Sequence, residues 1–311
     1  MSHAILGEVR GKRALLLGAN GYLGRHLTHY LAKAGCAVRA CDMQPEGACP
    51  VPAGEYLQLD VTRLEALQVI DWDVDFVFVF AGMTGTHAGF EQFNRFVQVN
   101  ELGLLNVLTA ILGSGHRPRI VFPSTRLVYA GSELSLPEDA PKQPKTIYAV
   151  NKLACEHILE SYRHAFDLPF TIFRICVPYG NSVGNGYSYG LTGTFIKQAR
   201  ENSAITLYGD GSLRRTLSHI DDICRDVIAL AADPRGVGEI FNVPGEPFSL
   251  LAVATAIAAR YGARVDYRDW PAKDLKIESG HTVFDGSKLR SLFDRSPDQH
   301  FESWIRQAPD L

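Results

Sequence analysis

The chain has 311 residues, of which 46% are hydrophobic and 21% charged, a balance that excludes a disordered chain and is ample for a sizeable core. Lys and Arg number 31 against 34 Asp and Glu, a formal net charge of -3, so the basic excess of a protein that wraps nucleic acid is absent. No apolar run approaches the roughly 18 residues of a membrane span. The first eleven residues carry Glu8 and Arg10 and lack the apolar centre of a secretory signal. The six cysteines form no C-x-x-C pair and no zinc-spaced cluster, which reads as reduced thiols in a cytoplasmic protein that holds no metal.

In chain order the pattern alternates strand and helix. Arg13 to Leu17 is a short apolar run ending at glycine, the signature of a strand buried on both faces. Leu23, Leu27, Tyr30 and Leu31 recur at helical spacing up to Gly35, a C-terminal stop. Strands are predicted at 37–41, 56–59 and 75–80, then a long helix at 90–112, a strand at 119–122, a helix at 147–164 and a strand at 170–175. Strict alternation implies a parallel sheet with helices on both faces. After 176 the pattern changes. A glycine-rich stretch at 178–193 reads as an ordered loop, with strands near 205–208 and 239–242 and helices near 221–232 and 249–260. The expected division is therefore 1–176, taking in about 216–245, and 177–311.

Gly18-Ala19-Asn20-Gly21-Tyr22-Leu23-Gly24 lies between the first strand and its helix. Gly18 suits a tight turn, Gly21 lets a pyrophosphate approach the helix N-terminus, and Gly24 lets helix pack on strand. The spacing G-x-x-G-x-x-G departs from the commoner G-x-G-x-x-G, so a merely packed glycine turn is the alternative. Asp42 ends the second strand, where a carboxylate accepts from the adenosine ribose hydroxyls and repels a 2′-phosphate; this favours NAD over NADP, with Arg39 close by. Asp60 and Val61 follow the third strand and Ala81-Gly82 the fourth, positions suited to the adenine and to the passing cofactor backbone.

Tyr148 and Lys152 stand four residues apart on a predicted helix and so share a face. A phenol near pKa 10 is pulled down by a neighbouring ammonium and a cationic nicotinamide until Tyr148 can take the proton of a substrate alcohol while hydride leaves for the cofactor. Ser124 and Thr125 follow the fifth strand, where a hydroxyl either bonds the reacting oxygen or caps the turn.

With Asn100, Ser124-Thr125-x-x-Val128-Tyr129, Arg174, Tyr208-Gly209-Asp210-Gly211 and Arg215-Thr-Leu-Ser-His-Ile-Asp221-Asp222, these residues resemble the extended short-chain dehydrogenase/reductases, and among them the NAD-dependent nucleotide-sugar epimerases and dehydratases, over nearly the whole chain. The resemblance implies a Rossmann-type doubly wound α/β fold with a smaller C-terminal substrate-binding lobe, a sugar nucleotide between them, and a homodimer through 90–112 and 147–164, where Phe90, Phe93, Phe96, Val97, Leu104, Leu105 and Leu108 exceed the apolar need of one sheet face. It assigns Thr125, Tyr148 and Lys152 to catalysis. It gives NAD to Gly18, Asn20, Gly21, Tyr22, Leu23, Gly24, Asp42, Met43, Asp60, Val61, Phe80, Ala81, Gly82, Asn100, Ser124, Tyr148, Lys152 and Val177. Substrate falls to Met83, Thr84, Thr125, Arg126, Tyr179, Asn181, Tyr208 and Arg215, the last facing the diphosphate or, alternatively, lying on a solvated strand edge.

Departures from the family pattern narrow the reaction. The 4,6-dehydratases follow the catalytic Thr with Asp-Glu, but here Arg126 and Leu127 stand there, and neither is an acid–base group at neutral pH. Arg126 either recognises a carboxylate, as on a uronic acid, or faces solvent. Val177 replaces an Asn, and Pro271 an Arg, that often touch the substrate, so the nucleotide stays open. The expected reaction is C4 epimerisation through a transient 4-keto sugar. Net reduction of a 4-keto sugar nucleotide by NAD(P)H is the alternative, with a non-catalytic dinucleotide sensor further off.

Overall fold

A computed structural model describes residues 6–49, 55–184, 190–293 and 297–307. Parts of the N-terminal segment and of the glycine-rich stretch read above (1–5 and 185–189) lie outside them. Strands in chain order are β1 Arg13–Leu17, β2 Ala37–Asp42, β3 Tyr56–Gln58, β4 Phe76–Val79, β5 Arg119–Thr125, β6 Phe170–Ile175, β7 Val177–Tyr179, β8 Ala204–Tyr208, β9 Arg214–His219, β10 Glu239–Asn242, β11 Glu246–Ser249 and β12 Arg264–Arg268. Helices are α1 Tyr22–Lys33, α2 Leu64–Gln68, α3 Thr86–Glu91, α4 Phe93–Phe96, a π-helical stretch Val97–Leu102, α5 Gly103–Ser114, α6 Ile147–Phe166, α7 Gly190–Asn202, α8 Ile220–Ala232, α9 Leu250–Tyr261, α10 Ala272–Ile277, α11 Ser287–Leu292 and α12 Phe301–Gln307.

The chain divides into two compact units. The first takes Met1–Val128, Thr146–Arg174 and Cys224–Ile240. It carries a seven-stranded sheet in the order β10-β6-β5-β4-β1-β2-β3. β1 pairs in parallel with β2 and β4, β2 with β3, and β4 with β5. This is the doubly wound Rossmann order, with its switch point between β1 and β4. Its strands read as unbroken apolar runs because both faces are covered: Leu15, Leu17, Val77, Val79, Ile120 and Phe122 pack with Leu104, Val107, Leu108 and Ile111 of α5 and Cys155 and Leu159 of α6. Each such side chain contributes about 1.5–3 kcal/mol by leaving water.

The long helix expected at 90–112 is broken. Gln92 leaves helical geometry (φ -123°, ψ 36°), separating α3 from α4, and the turn at 97–102 is π-helical. One expectation needs correction here: Phe93–Ser114 is long and apolar enough to cross a membrane by length and composition (22 residues, mean hydropathy 1.4 in its most apolar window). Within the unit, α5 turns Leu104, Val107, Leu108 and Ile111 into the sheet core, as a covering helix does.

The second unit takes Tyr129–Lys145, Ile175–Ile223 and Phe241–Leu311. It holds a three-stranded sheet, β11-β9-β7, and a two-stranded one, β12-β8. β9 runs antiparallel to β11 and parallel to β7. Tyr179, His219, Phe301 and Trp304 form an edge-to-face aromatic cluster beside them.

Candidate active site

In the first unit a cleft of about 280 Å³ opens at the C-terminal ends of β1, β2, β3 and β4. Gly18 begins it with φ +89°, a left-handed conformation, and a Cβ there would stand 2.4 Å from the Ala81 nitrogen. The glycine turn is tied to β2 because Gly18 N and Ala19 N both donate to the Cys41 carbonyl (2.8 and 3.0 Å). Gly21 caps α1, and a Cβ on Gly24 would overlap the Gly18 carbonyl oxygen at 2.0 Å, so helix and turn meet backbone to backbone. Tyr22 and Leu23 open α1 behind this turn, with the Arg25 guanidinium 5.3 Å from the Tyr22 ring centroid.

Asp42 stands at the end of β2 and lines the cleft with Met43. Its two oxygens accept from Asn20 N (3.0 Å) and Gln44 N (3.2 Å), which fixes the carboxylate with lone pairs to spare. The Asn20 side chain is engaged otherwise. It donates to the Glu46 carbonyl and the Tyr56 hydroxyl and accepts from Ala48 N, binding the segment after β2 to the glycine turn. Asp60 accepts from the Thr62 N–H and hydroxyl, and Val61, Phe80, Ala81, Gly82 and Met83 complete the apolar wall. Asn100 projects from the π-helical stretch, buried, with Oδ1 accepting from Met83 N (2.7 Å) and Nδ2 donating to the Met83 carbonyl (3.1 Å). It therefore holds the segment that leads into Thr84. Arg95, Gln98 and Val99 also line the cleft, as do Cys41, Leu59 and Thr62. Sequence reading missed these. The heptad-like spacing of Arg95, Gln98 and Val99 in a helix following the fourth strand was the available signal, blurred by the π turn.

The register between β4 and β5 ends at Val121, before Pro123, which lacks an N–H to pair. Beyond its pairing with β4, the end of β5 carries Ser124 and Thr125, both buried. Thr125 Oγ1 accepts from Leu127 N (3.3 Å), closing a 3-10 turn over Arg126–Val128 in which Arg126 is half-buried. α6 starts at Thr146, whose hydroxyl accepts from Ala149 N (3.2 Å). This cap places Tyr148 in the first helical turn, where the helix dipole favours a negative oxygen. Lys152 follows one turn on, 5% exposed. Its Nζ lies 4.3 Å from the Phe122 ring centroid and 4.0 Å from the point where a Cβ on Gly82 would stand. Loss of hydration brings the Lys152 ammonium down to about 8, against the pull of Cys155 and Glu156. Thr125, Tyr148, Lys152 and the wall of the cleft thus belong to one compact unit.

The remaining assigned residues lie in the second unit. Val177 is buried in β7. Tyr179 is fully buried, its hydroxyl donating to the Gln299 carbonyl (3.3 Å). Asn181 donates to the Gly184 carbonyl (3.0 Å). Tyr208 is 38% exposed, with its ring 5.5 Å from that of Trp270. Arg215 is 1% exposed; its Nη2 donates to Glu278 (2.6 Å) and its Nη1 to the carbonyls of Gly280 and Arg214. Trp270, Lys145, Asp210 and Glu278 line a cleft of about 550 Å³ within this unit.

The fold and the glycine cradle define a dinucleotide-binding enzyme. The model of the NAD dependent epimerase/dehydratase family matches residues 14–244, and the chain belongs to that family. It is 28% identical to a UDP-glucuronate 4-epimerase of Thermodesulfobacterium geofontis, across 94% of each chain. It is likewise 28% identical to a dTDP-L-rhamnose 4-epimerase of Burkholderia thailandensis, across 85% of each. A crystal structure of a Thermus thermophilus UDP-glucose 4-epimerase in complex with NAD superposes with a TM-score of 0.82 at 25% identity, covering 95% of this chain and 97% of that one. The cofactor is NAD, and the residues present fit it: the turn at Gly18 and Gly24 has no space for a side chain, and the Asp42 carboxylate is held in the cleft at the end of β2, where it could accept from a ribose hydroxyl.

Proposed function

We propose that the chain is a nucleotide-sugar 4-epimerase. The observation that carries this reading is Tyr148 and Lys152 on one face of α6, with the Lys152 ammonium buried beside Gly82 at the rim of the cofactor cleft. Bound NAD supplies the hydride acceptor and donor. Tyr148 takes the proton of the substrate C4 hydroxyl and later returns it, Lys152 favours the phenolate by its charge, and the Thr125 hydroxyl bonds the reacting oxygen. Met83, Thr84 and Arg126 of the first unit are assigned to the substrate in this reading, whereas Tyr179 and Arg215 are enclosed within the second unit. Two relatives named as 4-epimerases, matched over most of their length, support the reaction type.

The test is proton NMR of a panel of UDP-, dTDP-, GDP- and CDP-sugars, hexuronates included, with catalytic NAD and no reductant. Inversion at C4 is the expected outcome and names the substrate. Turnover only of a 4-keto sugar with stoichiometric NAD(P)H consumption overturns epimerisation in favour of a reductase.

The same reading includes a homodimer. Phe90, Phe93, Leu102 and Val150 are 39%, 53%, 49% and 46% exposed on α3, α4, the π-helical stretch and α6, an apolar face that a second copy would cover. Light scattering that returns the monomer mass at every concentration rejects it.

A further inference from the structure

Tyr148, Lys152 and Glu156 follow one another at four-residue steps on α6 and so share a face. The first two have a part in the reaction proposed above; Glu156 has none, although it is 1% exposed. A carboxylate this deeply enclosed needs hydrogen-bonding and ion-pair partners. Arg174 on β6 meets it with both prongs, Nε to Oε1 at 3.0 Å and Nη2 to Oε2 at 2.5 Å. Its second partner is Ser124, whose hydroxyl donates to Oε1. Ser124 is the residue before Thr125 at the C-terminal end of β5.

One carboxylate therefore ties three elements together: the helix that carries Tyr148 and Lys152, the strand end that carries Thr125, and β6 beside it. An ion pair that served packing alone needs no link to the turn bearing the hydroxyl, since apolar residues of equal volume replace such a pair without loss of stability. We propose that Glu156, oriented by Arg174, is a positioning residue that holds the Thr125 hydroxyl in register with the Tyr148–Lys152 face through Ser124. This rests on the reading of those three residues as the reacting groups. Its charge also lies one turn from Lys152 and supports the ammonium against burial. Cys155 on α6 also acts on that ammonium, while Glu101 of the π-helical stretch, bonded to Asn151, acts on Cys155, and Arg174 pairs with Glu156.

Three variants of the NAD-loaded full chain test this. Ser124→Ala removes only the link to β5. Measured at saturating NAD, it is expected to lower kcat about tenfold or more through misplacement of Thr125, with KM for the sugar nucleotide and the Lys152 titration unchanged. Glu156→Gln keeps the shape and the acceptor oxygen but removes the charge. It is expected to move the Lys152 titration, read by NMR of ε-13C-lysine, to lower pH, and the pH profile of kcat with it. The double variant Glu156→Leu/Arg174→Met keeps the packing without buried charge and is expected to fold with the kcat loss of Ser124→Ala. Wild-type kcat in Ser124→Ala and in the double variant, or an unmoved Lys152 titration in Glu156→Gln, overturns the proposal. If the wild-type chain turns over no sugar nucleotide, the epimerase reading fails by itself and the proposal with it, and the lysine titration then decides only whether Glu156 supports the Lys152 ammonium.

Discussion

Lys152 sits where an ammonium is least at home, against an aromatic ring and a glycine, with its hydration removed. Its folded value of about 8 lies below the 10.5 of an unfolded lysine, so between these two pH values the unfolded chain holds a proton that the folded chain has released. Stability from this residue accordingly rises with pH across that window, and at pH 7 the full penalty, about 3 kcal/mol, is present. Lys152→Met is expected to be more stable than wild type in urea melts at pH 7, by up to that amount, to show no gain above pH 10.5, and to lack turnover. Tyr148→Phe is expected to lose roughly 10²–10⁴ in kcat while NAD affinity is kept, measured by single-turnover kinetics and calorimetry. His219 gives the opposite end of the pH scale: buried against Tyr179 and Trp304, its imidazole is held below its ordinary value by desolvation, with Asp221 acting against this. The unfolded chain takes up that proton first, so stability falls as pH drops below about 6.5. His219→Gln is expected to flatten this acid limb of Tm against pH. Tyr148 and Lys152 were legible in the sequence because their partnership is a helical spacing. Glu156 was not, because its partners stand 18 and 32 positions away and only the fold brings them in.

Among elements, the glycine turn is the most completely written in sequence. Its requirements are local: a positive φ at Gly18 and backbone contact at Gly24 exclude every side chain. Gly18→Ala combines a strained backbone with a 2.4 Å approach to Ala81, and is expected to cost about 2 kcal/mol or more in denaturant midpoint and to abolish NAD binding by calorimetry. The helix after β4 shows the contrary case. Its apolar spacing predicts one continuous helix, yet the chain stops at Gln92 and then widens into a π turn at Val97–Leu102. Nothing in a 3.6-residue period announces that extra residue. The turn presents Asn100 to the Met83 backbone, a contact closed by two hydrogen bonds far apart in sequence. Asn100→Leu is expected to leave both Met83 groups unpaired, at about 1–3 kcal/mol each, and to weaken NAD binding, checked by thermal melts with and without cofactor.

At the scale of the molecule, the first unit was readable because strands buried on both faces leave continuous apolar runs, whereas the second was largely not. β9 is Arg-Arg-Thr-Leu-Ser-His and β11 is Glu-Pro-Phe-Ser, polar strings that become strands through pairing with partners elsewhere in the chain. The six thiols are all enclosed, with no disulfide among the described residues, and burial pushes Cys36, Cys41 and Cys155 to about 12. The native chain is expected to react with a thiol reagent at neutral pH far more slowly than the urea-unfolded one.

The threading of the units carries a consequence for synthesis. β10, an edge strand of the large sheet, lies beyond β7, β8 and β9 in the chain, and the Arg119 guanidinium donates to the carbonyls of Leu230, Ala231 and Asp233 at and just past the end of α8, before that strand. A nascent chain that has reached Cys176 therefore presents β6 as a raw edge, with unpaired amides open to any neighbouring polypeptide. Until the ribosome has passed Asn242 this edge is an invitation to aggregate, and a gene truncated near the end of β6 is expected to give inclusion bodies on expression, checked by the soluble fraction of the lysate.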